Sequence, residues 1–347
     1  MPDAMSAALT RAAFSATPFD RAGVSSGAAR DRGAASSAVY DRALGAYLGL
    51  ALGDALGATV EFMTPREIAL HFAKQGGVHR HIIGGGWLKL ARGQVTDDTT
   101  MSLALGSALL QGQREGRPFD TRLIAEAFVV WWRGKPVDCG NTCRRGIQRY
   151  LRDGSLAGPQ QDGDGGNGAL MRNLPVALAT LGDDALFERV SLAQSHVTHH
   201  HPLSDAAVLG LGHLLRAMLA GQDGLLAEKA QAMATAQPVF RFKPYPGRAS
   251  AYVVDTVQTV LHCVTAHDDF EDAVVAAVNR GDDADTTGAL VGMLAGARCG
   301  ASRLPRHWLT RLRRDVLLEI TEQASALLAL ALSLSPQATP AASASPG

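Results

Sequence analysis

The sequence is poor in cysteine, has no excess of charge of either sign, and lacks long uninterrupted apolar runs and period-two alternation. Four cysteines, Cys139, Cys143, Cys263 and Cys299, give no disulfide framework. The first pair is close, but its spacing fits neither a redox C-x-x-C nor a zinc knuckle, so all four read as reduced, cytosolic thiols. With 33 basic and 33 acidic residues the formal net charge is zero, which excludes the charge signature of a nucleic-acid groove or an anionic membrane surface. Any charge chemistry must be local. Gly, Thr, Arg or Asp recurs inside each hydrophobic segment, so no membrane span is expected. The first forty residues are rich in Ala, Ser, Gly and Arg without a central apolar block, which argues against a secretory signal. Their few acids give them some likeness to a transit peptide; a disordered extension is the plainer reading.

What is present is helical periodicity. Ala43, Leu44, Tyr47, Leu48 and Leu52 recur at helical spacing up to an expected break at Gly53-Asp54-Ala55-Leu56-Gly57. Thr64-Pro65-Arg66-Glu67 has the form of a capping box with proline at the first helical position, opening a helix to about Lys74. Thr96-Asp97-Asp98 opens another, and Asp120 caps one that runs through Trp131 and Trp132. Further helices are expected over 141–152, 169–181, 184–195, 204–220, 250–266, 270–279, 285–297, 305–314 and 316–332. The reading is an all-α fold of about a dozen helices in one domain, 40–333, between a disordered leader, 1–39, and a Pro-, Ala- and Ser-rich tail, 334–347. Gly288, Gly292, Gly296 and Gly300 lie four residues apart on one helix face. Each costs about 1 kcal/mol of helix propensity against alanine. Close packing against another central helix is the expected reason.

Two acidic turns interrupt this apolar sequence, Thr96-Asp97-Asp98 and Asp283-Ala284-Asp285-Thr286, each at the start of a helix. Unpaired carboxylates beside a core carry a large desolvation cost, so a cation is implied. Carboxylate and hydroxyl oxygens without neighbouring Cys or His are hard donors that suit Mg²⁺ or Mn²⁺. Helix capping explains one such turn, but two caps do not need four aspartates. An EF-hand reading of Asp283, Asp285, Thr287 and Gly288 fails because Leu294 stands at the twelfth position in place of glutamate. His196, His199, His200 and His201 lie at a helix end before Pro202 and read as a stabilised C-terminal turn, or with a single histidine on substrate. The loops 138–142 and 165–172 open helices whose free N–H groups suit phosphates or ribose hydroxyls. Gly84-Gly85-Gly86 matches no nucleotide-binding pattern.

In order along the chain, Gly53-Asp54-Ala55-Leu56-Gly57 with Glu61, Thr96-Asp97-Asp98-Thr99, Gly166-Asn167-Gly168-Ala169, the Thr198-His199 pair and Gly281-Asp282-Asp283-Ala284-Asp285-Thr286 resemble the ADP-ribosylglycohydrolases, within them the nitrogenase-type branch. The resemblance covers about 41–298. It implies a compact, single-domain orthogonal bundle of helices with two divalent ions, Mn²⁺ or Mg²⁺. It implies Thr96, Asp97, Asp98, Asp283, Asp285 and Thr286 as metal ligands and Asp138 as the acid/base residue, with Glu61 at the place of a catalytic or gating glutamate. Asn141, Asn167, Gly168, His199 and Tyr252 are implied on the substrate side. The implied reaction removes ADP-ribose from an arginine of dinitrogenase reductase. A serine- or small-molecule-linked ADP-ribose hydrolase and a non-catalytic ADP-ribose-binding relative are the alternatives. A PII-type signalling protein is the implied regulatory partner, and the location is cytoplasmic, with any membrane association made through a partner.

Overall fold

Small residues at every fourth position let two helices touch backbone to backbone, and the other helices are arranged around that contact. The computed structural model describes residues 27–334; the remainder of the expected leader, 1–26, and of the tail, 335–347, lies outside the described residues. The helices are α1 (Gly27–Gly57), α2 (Pro65–His71), α3 (Asp97–Arg114), α4 (Thr121–Arg133), α5 (Asn141–Asp153), α6 (Gly168–Met171), α7 (Leu174–Ala179), α8 (Asp184–His196), α9 (Pro202–Leu219), α10 (Leu226–Ala236), α11 (Val253–Ala266), α12 (Phe270–Val278), α13 (Ala284–Cys299), α14 (Arg306–Leu309) and α15 (Arg314–Leu334). Among the described residues there is no strand, only two isolated bridges, Gly85 to Leu90 and Gly166 to Tyr252. The fold is all-α, as expected.

The partner of the glycine stripe on α13 is a second stripe, Gly45, Gly49, Gly53 and Gly57 on α1. A Cβ built on these would overlap the carbonyl oxygens of Gly296, Gly292, Gly288 and Ala284 respectively. Two consequences correct the sequence reading. The Gly53 to Gly57 segment is no break but the last turns of α1, since glycines that would weaken an exposed helix are here the contact surface. Gly300 is not a rung of the stripe; it ends α13 at φ 80°, a backbone setting that suits glycine.

Other boundaries differ for local reasons. The helix expected over 169–181 is divided into α6 and α7, with Pro175 in the first turn of α7, where its missing N–H costs nothing. Residues 250–252 lie outside any helix ahead of α11, with Tyr252 extended, and 305–313 holds only the single turn of α14. Helix α1 already begins at Gly27, and α10 was not expected at all. Helix α15 is long and apolar enough, by length and composition, to cross a membrane. In this fold Ile320, Ala324 and Leu327 are fully buried in the core, and Gln323 accepts a hydrogen bond from Tyr47 Oη at 2.6 Å while donating to Leu103 O at 3.0 Å.

Candidate metal centre and active site

The contact between α1 and α13 brings Asp54 beside the first turn of α13. Asp54 is buried and accepts from the Thr96 backbone N–H at 2.9 Å, the Thr96 hydroxyl at 3.0 Å, the Thr99 N–H at 3.2 Å and the Thr99 hydroxyl. It thus satisfies the open N-terminal N–H groups of α3 from another helix. Neither Thr96 nor Asp283, the residues preceding α3 and α13, makes a side-chain capping bond. Capping therefore does not account for the acids, and Asp97, Asp98, Asp283 and Asp285 are left for another task.

Their geometry states that task. The Thr96 hydroxyl lies 3.3 Å from both Asp98 Oδ2 and Asp285 Oδ2, besides its contact with Asp54, yet it has one proton to give. Thr286 Oγ1 donates to Asp98 Oδ2 at 3.2 Å. Carboxylate oxygens of Glu61, Asp283 and Asp285 lie within 4.8 Å of one another. Glu61 Oε2 and Asp98 Oδ1 are buried with no hydrogen-bond partner. Among the described residues no Lys, Arg or His forms an ion pair with any of these acids. An all-oxygen, anionic, partly unpartnered cluster fits a hard divalent cation.

Electrostatics point the same way. Burial first, and then repulsion from neighbouring acids, pushes Glu61 up to about 9 and Asp97 up to about 8. Burial raises Asp283 to about 7 and Asp54 to about 6, the latter against the hydrogen bonds from Thr96 and Thr99. Burial drives Asp98 and Asp285 upward as well. Acids whose folded pKa exceeds the unfolded value hold extra protons in the native state, so stability falls as pH rises through that window. Buried His79, lowered to about 4, gives the opposite slope only below about 6.5. The metal-free protein is therefore expected to lose thermal stability between about pH 6.5 and 9, and saturating Mn²⁺ to flatten that loss; calorimetric scans with and without chelator check it.

The remaining expected site residues divide into two groups. Asn167 belongs to the centre: its Nδ2 donates to Asp283 Oδ2 and, at 2.9 Å, to Thr256 Oγ1, so it holds a carboxylate in place. Glu61 falls among the carboxylates rather than apart from them. Asp138 is half-buried in the loop before α5, is the largest charge acting on both Glu61 and Asp97, and faces a cavity of about 610 Å³ lined also by Arg133, Lys135 and Arg144. Gly140 N–H tethers that loop to Asp97 Oδ2 at 3.4 Å. Asn141 is exposed at the start of α5, and Tyr252 is 45% exposed, its ring edge against Gly165. Gly168 is buried, and a Cβ built on it would stand 2.8 Å from His199 Cε1 and 2.9 Å from Cys143 Sγ.

The histidines separate into different jobs, none of them zinc. His196 pairs with Asp205 at 2.9 Å and stacks on His200 with ring centroids 3.9 Å apart; His200 Nδ1 contacts Gly158 O at 2.6 Å. His201 accepts from Leu203 N–H and so caps α9. His199 is buried, and burial together with Arg172 and Arg145 keeps its basicity well below the ordinary histidine range. Asp54, Thr99 and Thr256 escaped the sequence reading as site residues. The signal for Asp54 was an acid between two glycines on an otherwise apolar helix face.

Residues 35–336, nearly the whole described chain, match the sequence model of a family described as ADP-ribosylglycohydrolase. The chain belongs to this family. It is 54% identical over 295 residues to the ADP-ribosyl-[dinitrogen reductase] glycohydrolase of Rhodospirillum rubrum, covering 84% of this chain and 97% of that one. An ADP-ribosylarginine hydrolase of Serratia proteamaculans (strain 568) is 33% identical, over 82% of this chain and 78% of its own length. A solved structure described as an ADP-ribosylglycohydrolase-related protein complex superposes with a TM-score of 0.73 at 32% identity, covering 84% of this chain and 99% of that one. An ADP-ribosylglycohydrolase therefore builds its carboxylate cluster here from α1, α3 and α13, with the glycine contact setting their spacing.

Proposed function

We propose that the chain hydrolyses the N-glycosidic bond between ADP-ribose and an arginine side chain, removing ADP-ribose from dinitrogenase reductase and so reactivating nitrogenase. The observation that carries this reading is the carboxylate cage of Glu61, Asp97, Asp98, Asp283 and Asp285, with unpartnered oxygens on Glu61 and Asp98, in a chain 54% identical to a glycohydrolase of that name.

Thr96, Asp97, Asp98, Asp283, Asp285 and Thr286, with Glu61, are the residues that would hold two divalent ions, Mn²⁺ or Mg²⁺. When bound, the ions supply Lewis acidity and coordination for the ribose 2′ and 3′ hydroxyls. Asp54 fixes the α3 turn and Asn167 fixes Asp283, so the donors are pre-oriented. Guanidine is a poor leaving group unless protonated, and Asp138 is the acid/base residue that gives or takes the proton at that bond. Its place beside Glu61 and Asp97, on which it is the largest charge acting, supports this role. Asn141, Gly168, His199 and Tyr252 belong to the ADP-ribose side of the site. A PII-type protein as regulator and a cytoplasmic location, with membrane association through a partner, complete the reading.

Incubation of the protein and Mn²⁺ with ADP-ribosylated dinitrogenase reductase is expected to release free ADP-ribose; no release removes the proposal, and release only from serine-linked or small-molecule conjugates moves it to those substrates. Asp138→Asn is expected to lower kcat by about 10²- to 10⁴-fold in a protein that still binds Mn²⁺ by calorimetry.

A further inference from the structure

Arg172 is a fully buried cation with no carboxylate partner among the described residues. Its guanidinium lies over the Phe128 ring at 4.4 Å and donates to Gln194 Oε1 at 2.8 Å, to Gln194 O at 2.9 Å and to Thr198 Oγ1 at 2.8 Å. The Gln194 amide is fixed in the accepting orientation because its Nε2 donates to Ala169 O at 3.0 Å and to Asn173 Oδ1 at 3.1 Å. Thr198 and His199 are also buried, and Thr198 Oγ1 lies 2.8 Å from His199 Nδ1.

Arginine is an obligate donor, so it occupies a lone pair of the Thr198 oxygen and leaves the hydroxyl proton to be placed elsewhere. Among the described residues the only other hydrogen-bonding neighbour of that hydroxyl is His199 Nδ1. If Nδ1 carried the imidazole proton, the buried Thr198 proton would have no acceptor, an arrangement that folded interiors avoid. Nδ1 therefore accepts. A neutral ring then carries its proton on Nε2.

Nε2 has no protein acceptor among the described residues, and it lies under the loop 165–168. A Cβ on Gly166 would stand 3.3 Å from Nε2, and one on Gly168 3.2 Å from it. Both positions are glycine, so neither places a side chain over the proton-bearing edge of the ring.

We propose that Arg172, acting through Thr198, locks His199 in the Nε2–H tautomer and makes the buried imidazole a hydrogen-bond donor to ADP-ribose at the loop 165–168. Arg172 and Thr198 are then positioning residues, and the donor half of the proposal rests on the ADP-ribose reading given above.

Long-range ¹H–¹⁵N spectra of the full-length protein with ¹⁵N-labelled imidazoles report the tautomer directly, the His199 signals being identified by their loss in His199→Asn. The expected wild-type pattern is protonated Nε2 and bare Nδ1. Thr198→Val is expected to lose that single pattern and to weaken the Kd for free ADP-ribose by roughly tenfold, with Thr198→Ser restoring both. A wild-type His199 protonated on Nδ1, or on both nitrogens at pH 7, overturns the proposal without reference to any variant. An unchanged Kd in a folded Thr198→Val protein overturns the donor role. The tautomer is read without ligand, so an intact lock in a protein that releases no ADP-ribose counts against the functional reading alone.

Discussion

Replacing Asp97 and Asp285 together by alanine is expected to lower kcat/KM by about three orders of magnitude or more and to leave the protein folded. The first part follows from the position of the two carboxylates, one at the start of α3 and one at the start of α13, so the substitution removes a donor from each side of the cage. The second follows from what holds these acids. Asp97 accepts the long tether from Gly140, and Asp285 accepts from the N–H of Thr286 beside it and lies 3.3 Å from Thr96 Oγ1, whose one proton is shared with Asp54 and Asp98. Burial raises both, and like charges raise them further, so in metal-free buffer their loss removes a repulsive term. The variant is therefore expected to unfold in EDTA at a temperature no lower than the wild type, and to lose the rise in Tm that Mn²⁺ gives the wild type. Full activity in the variant would refute the metal role of both residues.

Gly53→Val is expected to destabilise the fold by about 3–5 kcal/mol, measured by urea unfolding, and to lower Mn²⁺ affinity in whatever protein remains folded. Already the first carbon of a side chain at Gly53 meets the carbonyl group of Gly288, which is backbone and has no rotamer to change. The helices must part, and the parting carries Asp54, the next residue, away from Asp285. Gly224→Ala, where nothing lies within 4 Å of the added carbon, is the control and is expected to be neutral. A neutral Gly53→Val would mean that the close approach of α1 and α13 is not what sets the spacing of the site.

The sequence made the acidic turns visible because acids that interrupt an apolar run have few physical explanations, and the structure adds why capping is not one: Asp54 already serves the N-terminus of α3. Asp54 itself was hidden by the same glycines that make its position meaningful. Gly53 and Gly57 read as a helix break when propensity is weighed alone, and only the matching interval on α13 converts them into a contact surface. The division of 169–181 has a local signal in Pro175, whereas the contacts of Arg172 in the gap, to Gln194 on α8 and the Phe128 ring on α4, join residues distant in sequence. Helix α10 had its own signal in Leu226, Ala230 and Ala234, buried at four-residue intervals, and was missed because alanine contributes little to an apolar pattern. The distribution of the four histidines among a carboxylate contact, a stack, a cap and a buried ring could not be read from their spacing, since most of these roles depend on a residue from another element.

An anomalous difference map at the manganese edge, from crystals grown with Mn²⁺, tests the central claim most directly. The account predicts two peaks enclosed by Asp97, Asp98, Asp283 and Asp285, with Glu61 and the hydroxyls of Thr96 and Thr286 beside them. A protein that releases ADP-ribose in Mn²⁺ yet shows no peak between the starts of α3 and α13 would contradict it.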